Sequence, residues 1–246
     1  MKKFKLFIGT LLLATSISLV SCGSLNEDNS DTSDNTSDTD TKAMKYEVGN
    51  ATIDSWTNSI NTTWVKIAVP VKNTGNTNIY VGDMSADIES STGTLLKTVS
   101  MISAFPEYIK PGETAYYYDE TTVDFDTSNI KVVPHVAIEK PSNDVIRYDL
   151  SEISITADTY FGVKVMGRVE NKTSEKGTLV YVAANLFDSN DKLICNCFTI
   201  LENDLNAGDK VGFTCKPFAY TDFTPTDVAR YEIYSYPTQF NIDFSF

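Results

Sequence analysis

Trp64-Val65-Lys66-Ile67-Ala68-Val69 alternates residue by residue, and that period of two decides the fold. Val65, Ile67 and Val69 fall on one face of an extended strand. The same alternation returns in Phe161-Gly162-Val163-Lys164-Val165 and in Thr178-Leu179-Val180-Tyr181-Val182. β-branched and aromatic residues dominate these runs, and turn formers bound them, as in Asn73-Thr74-Gly75-Asn76 and Ser189-Asn190-Asp191. No stretch carries a helical stripe over three turns. Leu201 to Ala207 and Thr224 to Ala229 have room for a helical turn at most.

The chain repeats itself. Val71-Lys72-Asn73 answers Val169-Glu170-Asn171, and Ser85-Ala86-Asp87-Ile88 answers Ala183-Ala184-Asn185-Leu186, both at an offset of 98 residues. Lys110-Pro111-Gly112-Glu113 answers Asn206-Ala207-Gly208-Asp209 at 96. Each copy holds closely spaced strands with no room for crossover helices. The expected fold is all-β: two tandem immunoglobulin-like antiparallel β-sandwiches, over residues 44–142 and 143–246. The join near Pro141-Ser142-Asn143-Asp144 is short, which predicts end-to-end packing. Pro70 and Gly167 interrupt equivalent strands, so an edge or bulge is expected at the same place in both copies.

The offset of 96 also aligns Tyr117 with Phe213 and sets Tyr116 and Tyr118 on the other face. An outward Tyr116 and Tyr118 pair is a candidate partner-binding patch, because aromatics are enriched at interfaces. Cross-strand packing, or contact with the other copy, accounts for the same pattern.

Ahead of the repeat, Lys2, Lys3 and Lys5 precede an apolar run from Leu6 to Val20, too short to favour a spanning helix. Leu19-Val20-Ser21-Cys22 closes it and resembles the lipobox of bacterial lipoproteins. The resemblance implies a signal peptide over residues 1–21, cleavage before Cys22, lipidation of its thiol, and a location on the extracytoplasmic face of the cell membrane. Residues 22–43 then form a disordered acidic linker, since Asn26 to Asp40 contains no apolar residue and six acids. Arg147, Arg168 and Arg230 are the only arginines among 20 basic residues, a bias that favours a Gram-positive host.

Ala184-Asn185-Leu186-Phe187-Asp188, followed by the turn Ser189-Asn190-Asp191-Lys192 and Leu193-Ile194, resembles the FxLYD family of extracytoplasmic bacterial domains, with Asn171 ending the upstream strand. The first copy follows more loosely through Ala86-Asp87-Ile88-Glu89-Ser90, Gly93 and Leu95-Leu96. The resemblance implies an immunoglobulin-like sandwich on a secreted or lipid-anchored protein, and no catalytic residues.

The chemistry of the chain narrows its function. The formal net charge is −13, and −16 once the three leader lysines are removed, which repels nucleic acid. His135 is the only histidine, too little for a triad or a zinc site. Cys195 and Cys197 share a strand face; the thiols read as free and buried or half-buried, with a bond from one of the two to Cys215 as the alternative. Asp119, Glu120, Asp124 and Asp126, and Asp188 with Asp191, are cation candidates or ordinary turn formers. No cofactor and no metal is expected. The reading is a non-catalytic binding module, not an enzyme, with an envelope protein or glycan as partner. An accessory subunit of an envelope enzyme or transporter is the alternative.

Overall fold

The computed structural model describes residues 44–141, 144–218 and 223–237. The leader, Cys22, the acidic linker and residues 142 and 143 at the join lie outside the described residues. The described chain is all-β. Its one helical element is a 3-10 turn, Pro225–Asp227. No described helix is long and apolar enough to cross a membrane.

The first half runs β1 (Tyr46–Val48), β2 (Thr52–Thr57), β3 (Thr63–Asn73), β4 (Ile79–Val81), β5 (Met84–Ser90), β6 (Leu95–Ile102), β7 (Ala104–Phe105), β8 (Tyr108–Ile109), β9 (Thr114–Val123), β10 (Ile130–His135) and β11 (Ile138–Glu139). The second runs β12 (Asp149–Asp158), β13 (Gly162–Glu170), β14 (Val180–Phe187), β15 (Leu193–Ile200), β16 (Lys210–Pro217) and β17 (Arg230–Pro237). All pairings are antiparallel. In the first half β3 lies between β9 and the pair β1 and β2, while β5 lies between β6 and β10. The second half follows the order β12-β13-β16-β15-β14-β17 as one continuous sheet.

Each half closes over its own core. Val65, Ile67, Val69 and Val71 point inward from β3 against Ala86, Ile88 and Tyr117. Val163, Val165 and Val169 do the same from β13 against Val182, Leu186 and Phe213. Burying each such side chain contributes about 1.5–3 kcal/mol.

The repeat is clearest in two buried asparagines. Asn73 Nδ2 donates to the carbonyls of Thr77 (2.8 Å) and Ile109 (3.1 Å), and its Oδ1 accepts from Gly75 N. Asn171 Nδ2 donates to Glu175 (2.7 Å) and Leu205 (2.9 Å), and its Oδ1 accepts from Thr173 N. The backbone of Asn73 also bonds Glu113 O and Gly112 N, and that of Asn171 bonds Asp209 O and Gly208 N. Gly112 and Gly208 sit at φ +86° and +83°, where a side chain would be strained.

Pro70 and Gly167 mark equivalent irregularities. Pro70 O accepts from Gly49 N at 2.9 Å, so its donor-less edge faces residues 49–51, where β1 gives way to β2. Opposite Gly167, β12 shifts register between Ser151 and Ser154. A Cβ on Gly167 would lie 2.6 Å from Ile153 Cδ1 and 2.8 Å from the Phe213 ring.

The two halves belong to one compact unit. They meet across the outer face of the first sheet, where Phe187 and Leu193 cover Ala68 and Tyr118, and beside the join, where Tyr108 packs with Val145 and Tyr236.

Candidate functional site

β2, β3 and β9 present a ladder of side chains on the outer face of the first half. Strand alternation fixes which residues point there, and register fixes the rungs. Tyr116 stands across from Pro70, Tyr118 from Ala68, Glu120 from Lys66, and Thr122 from Trp64. On the other side of β3, Asp54 stands across from Lys66 and Trp56 from Trp64. The face therefore runs from tyrosines, through a charged rung, to tryptophans.

The second half covers the tyrosine end. Phe187 and Leu193 bury Ala68 and Tyr118, with Tyr116 packed alongside. The rings of Tyr116 and Phe187 meet edge to face at 5.2 Å. Tyr117 points the other way, fully buried, and its hydroxyl donates to Gly82 O at 2.6 Å. The surface that Tyr116 and Tyr118 present is thus engaged by the chain itself. Further ties join the halves. Asn185 Nδ2 donates to Phe105 O at 3.0 Å. Arg147 donates to Tyr108 O and to Glu113 Oε2, and its guanidinium lies 5.4 Å from the centres of the Tyr234 and Tyr236 rings.

The charged rung lies at the margin of that contact. Lys66 is only 7% exposed, which is costly for a cation without partners. Its ammonium lies 3.4 Å from both Asp54 Oδ2 and Ile194 O, and 4.8 Å from the centre of the Phe223 ring. Lys192 reaches Asp54 Oδ1 from the second half at 2.5 Å. Burial alone would raise the Asp54 carboxyl, but the hydrogen bond from Lys192 and the charges of both lysines hold it below its usual range. Glu120 is pushed the other way by burial, against the opposing effects of Tyr118 and Lys66. Its Oε1 accepts from the Tyr118 hydroxyl at 2.5 Å, while its buried Oε2 makes no hydrogen bond with the described residues.

Beyond the charged rung lie Trp56 and Trp64, both half-buried, with rings nearly parallel (12°) and centres 6.2 Å apart. The rungs and the second half enclose a cleft of about 780 Å³. Trp56, Lys66 and Glu120 line it from the first half, and Asp188, Lys192 and Phe223 from the second. That volume lies within the range of small-molecule sites. The tryptophans were not singled out in the sequence. Their signal was available, since Trp64 alternates with the core residues of β3.

The other candidates lie elsewhere. His135, exposed at the end of β10, has its Nε2 3.0 Å from Asp87 Oδ2 on β5. Cys195, Cys197 and Cys215 are all free and fully buried. Cys195 and Cys197 sulfurs are 3.8 Å apart, whereas Cys215 Sγ contacts Val182 O at 3.3 Å. Register explains why no bridge joins them: Cys197 stands opposite Pro217, and Cys215 opposite Val165. Burial pushes the Cys215 thiol up to about 12, and the neighbouring Cys197 thiol together with burial raises Cys195.

Asp126 accepts from Ser128 N, and Asp188 from Asn190 N and Lys192 N, both turn roles, while Asp119 lies within β9 and accepts from Glu120 N. Among the described residues no three acidic, His or Cys side chains gather as a metal site. Cys22 lies outside the described residues.

No family model matches the chain, and no curated protein matches its sequence.

Proposed function

We propose that the chain is a non-catalytic binding module, held at the extracytoplasmic face of a membrane by lipid on Cys22 and displayed on the acidic linker. The two halves are read as immunoglobulin-like sandwiches of FxLYD type. The cleft between them carries the proposal: a buried lysine, a carboxylate bridged to two cations and a tryptophan platform converge on one concavity. Such a mixture of aromatic surface and fixed polar groups suits recognition. The candidate nucleophiles support a non-catalytic role, since the three thiols are buried, those of Cys195 and Cys215 with raised pKa, and the one histidine is paired with Asp87 away from the cleft.

Site-specific photocrosslinking on intact cells tests the reading. A photoreactive side chain at Ser59, on the cleft rim, should give discrete products with an envelope component, and one at Lys131, on β10, should not. Equal capture from both, or none from Ser59, would remove the cleft as the binding site. Cys22→Ala should abolish incorporation of labelled fatty acid. Continued labelling would refute the anchor.

A further inference from the structure

We infer that the cleft takes a neutral oligosaccharide of all-equatorial pyranose rings, stacked on Trp56 and hydrogen-bonded by the adjacent charged rung. This deepens the binding-module reading and rests on it.

The spacing of the rungs carries the inference first. Asp54 and Trp56 are two residues apart on β2, as are Trp64 and Lys66 on β3, so each tryptophan lies about 7 Å from a charged neighbour on the same face. Trp56, Asp54 and Lys66 all line the one cleft, so a ring lying on Trp56 has both charged side chains within reach of its rim. An all-equatorial pyranose has that shape: C–H bonds on its flat faces and hydroxyls around its edge. Its faintly positive C–H groups suit the negative face of an indole.

The charge of the cleft decides the class of sugar. Asp54 already accepts from Lys66 and Lys192, so neither lysine is a free cation for an anionic ligand. Asp188 and Glu120 add negative charge to the lining, and the whole chain is at −13. A polyanion would be repelled. Paired charges nevertheless retain hydrogen-bonding capacity that hydroxyls can use. Lys66 makes contacts of 3.4 Å, and the half-exposed Lys192 ammonium has donors beyond the one bonded to Asp54.

A protein partner fits less well. Protein interfaces centre on apolar cores depleted of charge. Here five of the twelve described lining residues are charged, and the large apolar side chains among them are Trp56, Ile194 and Phe223.

The chain has only two tryptophans, Trp56 on the cleft and Trp64 stacked beside it, so its indole emission is sensitive to this site. The experiment titrates the mature chain, carrying Cys22→Ala, with β-1,4-linked hexasaccharides of glucose and of N-acetylglucosamine. An α-1,4-linked glucose hexasaccharide tests linkage, and a β-1,4-linked uronic acid oligosaccharide tests charge. A saturable emission change with at least one neutral β-linked sugar is expected, insensitive to salt. Trp56→Ala should weaken that binding about tenfold or more, read by calorimetry. Trp56→Phe, which keeps an aromatic face and the packing, should retain most of it.

No response to any neutral sugar, preference for the acidic one, or unchanged binding by folded Trp56→Ala would overturn the inference. A silent sugar titration alongside Ser59 crosslinks to a protein would overturn the sugar assignment and leave the binding-module reading standing. Silence in both would overturn both.

Discussion

Lys192 Nζ lies 2.5 Å from Asp54 Oδ1, although 138 residues separate them in the chain. The contact ties the hairpin turn of the second half to the outer strand of the first, and Asp54 also holds the buried ammonium of Lys66. The two bonds differ in energy because their surroundings differ. Lys192 is 37% exposed in its side chain and Lys66 only 8%.

Asp54→Ala should therefore cost far more than Lys192→Ala. Removing Lys192 breaks a solvent-screened pair, for a loss of under about 1 kcal/mol. Removing Asp54 strips a buried ammonium of its closest carboxylate, for a loss of about 3 kcal/mol. Denaturant melts of the two variants check the order, and added salt should shrink only the smaller effect.

The three consecutive tyrosines of β9 should separate by burial. Tyr117→Ala removes a fully buried ring from the first core, at a cost of about 3–5 kcal/mol. Tyr118→Ala should approach that, at roughly 3 kcal/mol, because Phe187 and Leu193 bury it between the halves. Tyr116→Ala, half-buried against Phe187, should lose about 1–2 kcal/mol. Equilibrium unfolding of the three single variants reads these values.

Glu107 gives the fold a pH dependence of known sign. Burial, reinforced by the charge of Asp83, pushes its carboxyl up to about 7. The unfolded chain releases that proton at about 4.5. The folded state thus binds the proton more tightly. The stability it contributes is fully present below pH 4.5 and is lost as pH rises through 7. The loss is at most about 3.5 kcal/mol, since each pH unit of displacement is worth about 1.4 kcal/mol. Glu107→Gln should remove this component. Subtracting its stability curve from that of the wild type between pH 4 and 8 isolates the effect.

Much of the fold was legible because alternation and repetition are local signals. Val65, Ile67 and Val69 named the core face of β3, and the offsets of 98 and 96 reappear in the hydrogen bonds of Asn73 and Asn171. The direction of Tyr116, Tyr117 and Tyr118 followed from the same register. What covers Tyr118 was not legible, because the fit of Phe187 and Leu193 to that face depends on how two finished sheets dock. The cleft was hidden for the same reason. Lys192 reads as a turn residue, and Trp56 sits in a strand diluted by Asp54 and Ser55, so their convergence appears only once the halves meet.

The fixed cleft is tested most directly by the distance between its walls in solution. Spin labels on Ser59→Cys and Asn190→Cys, both at exposed positions, place one probe on each half. Cys195, Cys197 and Cys215 are buried and should remain unlabelled in the native protein, and Cys22→Ala removes the fourth thiol. Double electron–electron resonance should give one narrow distance distribution, unchanged when the linker is removed. A broad or two-peaked distribution would contradict it, because halves that swing apart cannot hold Lys192 against Asp54 or present the charged rung and the tryptophans as one site.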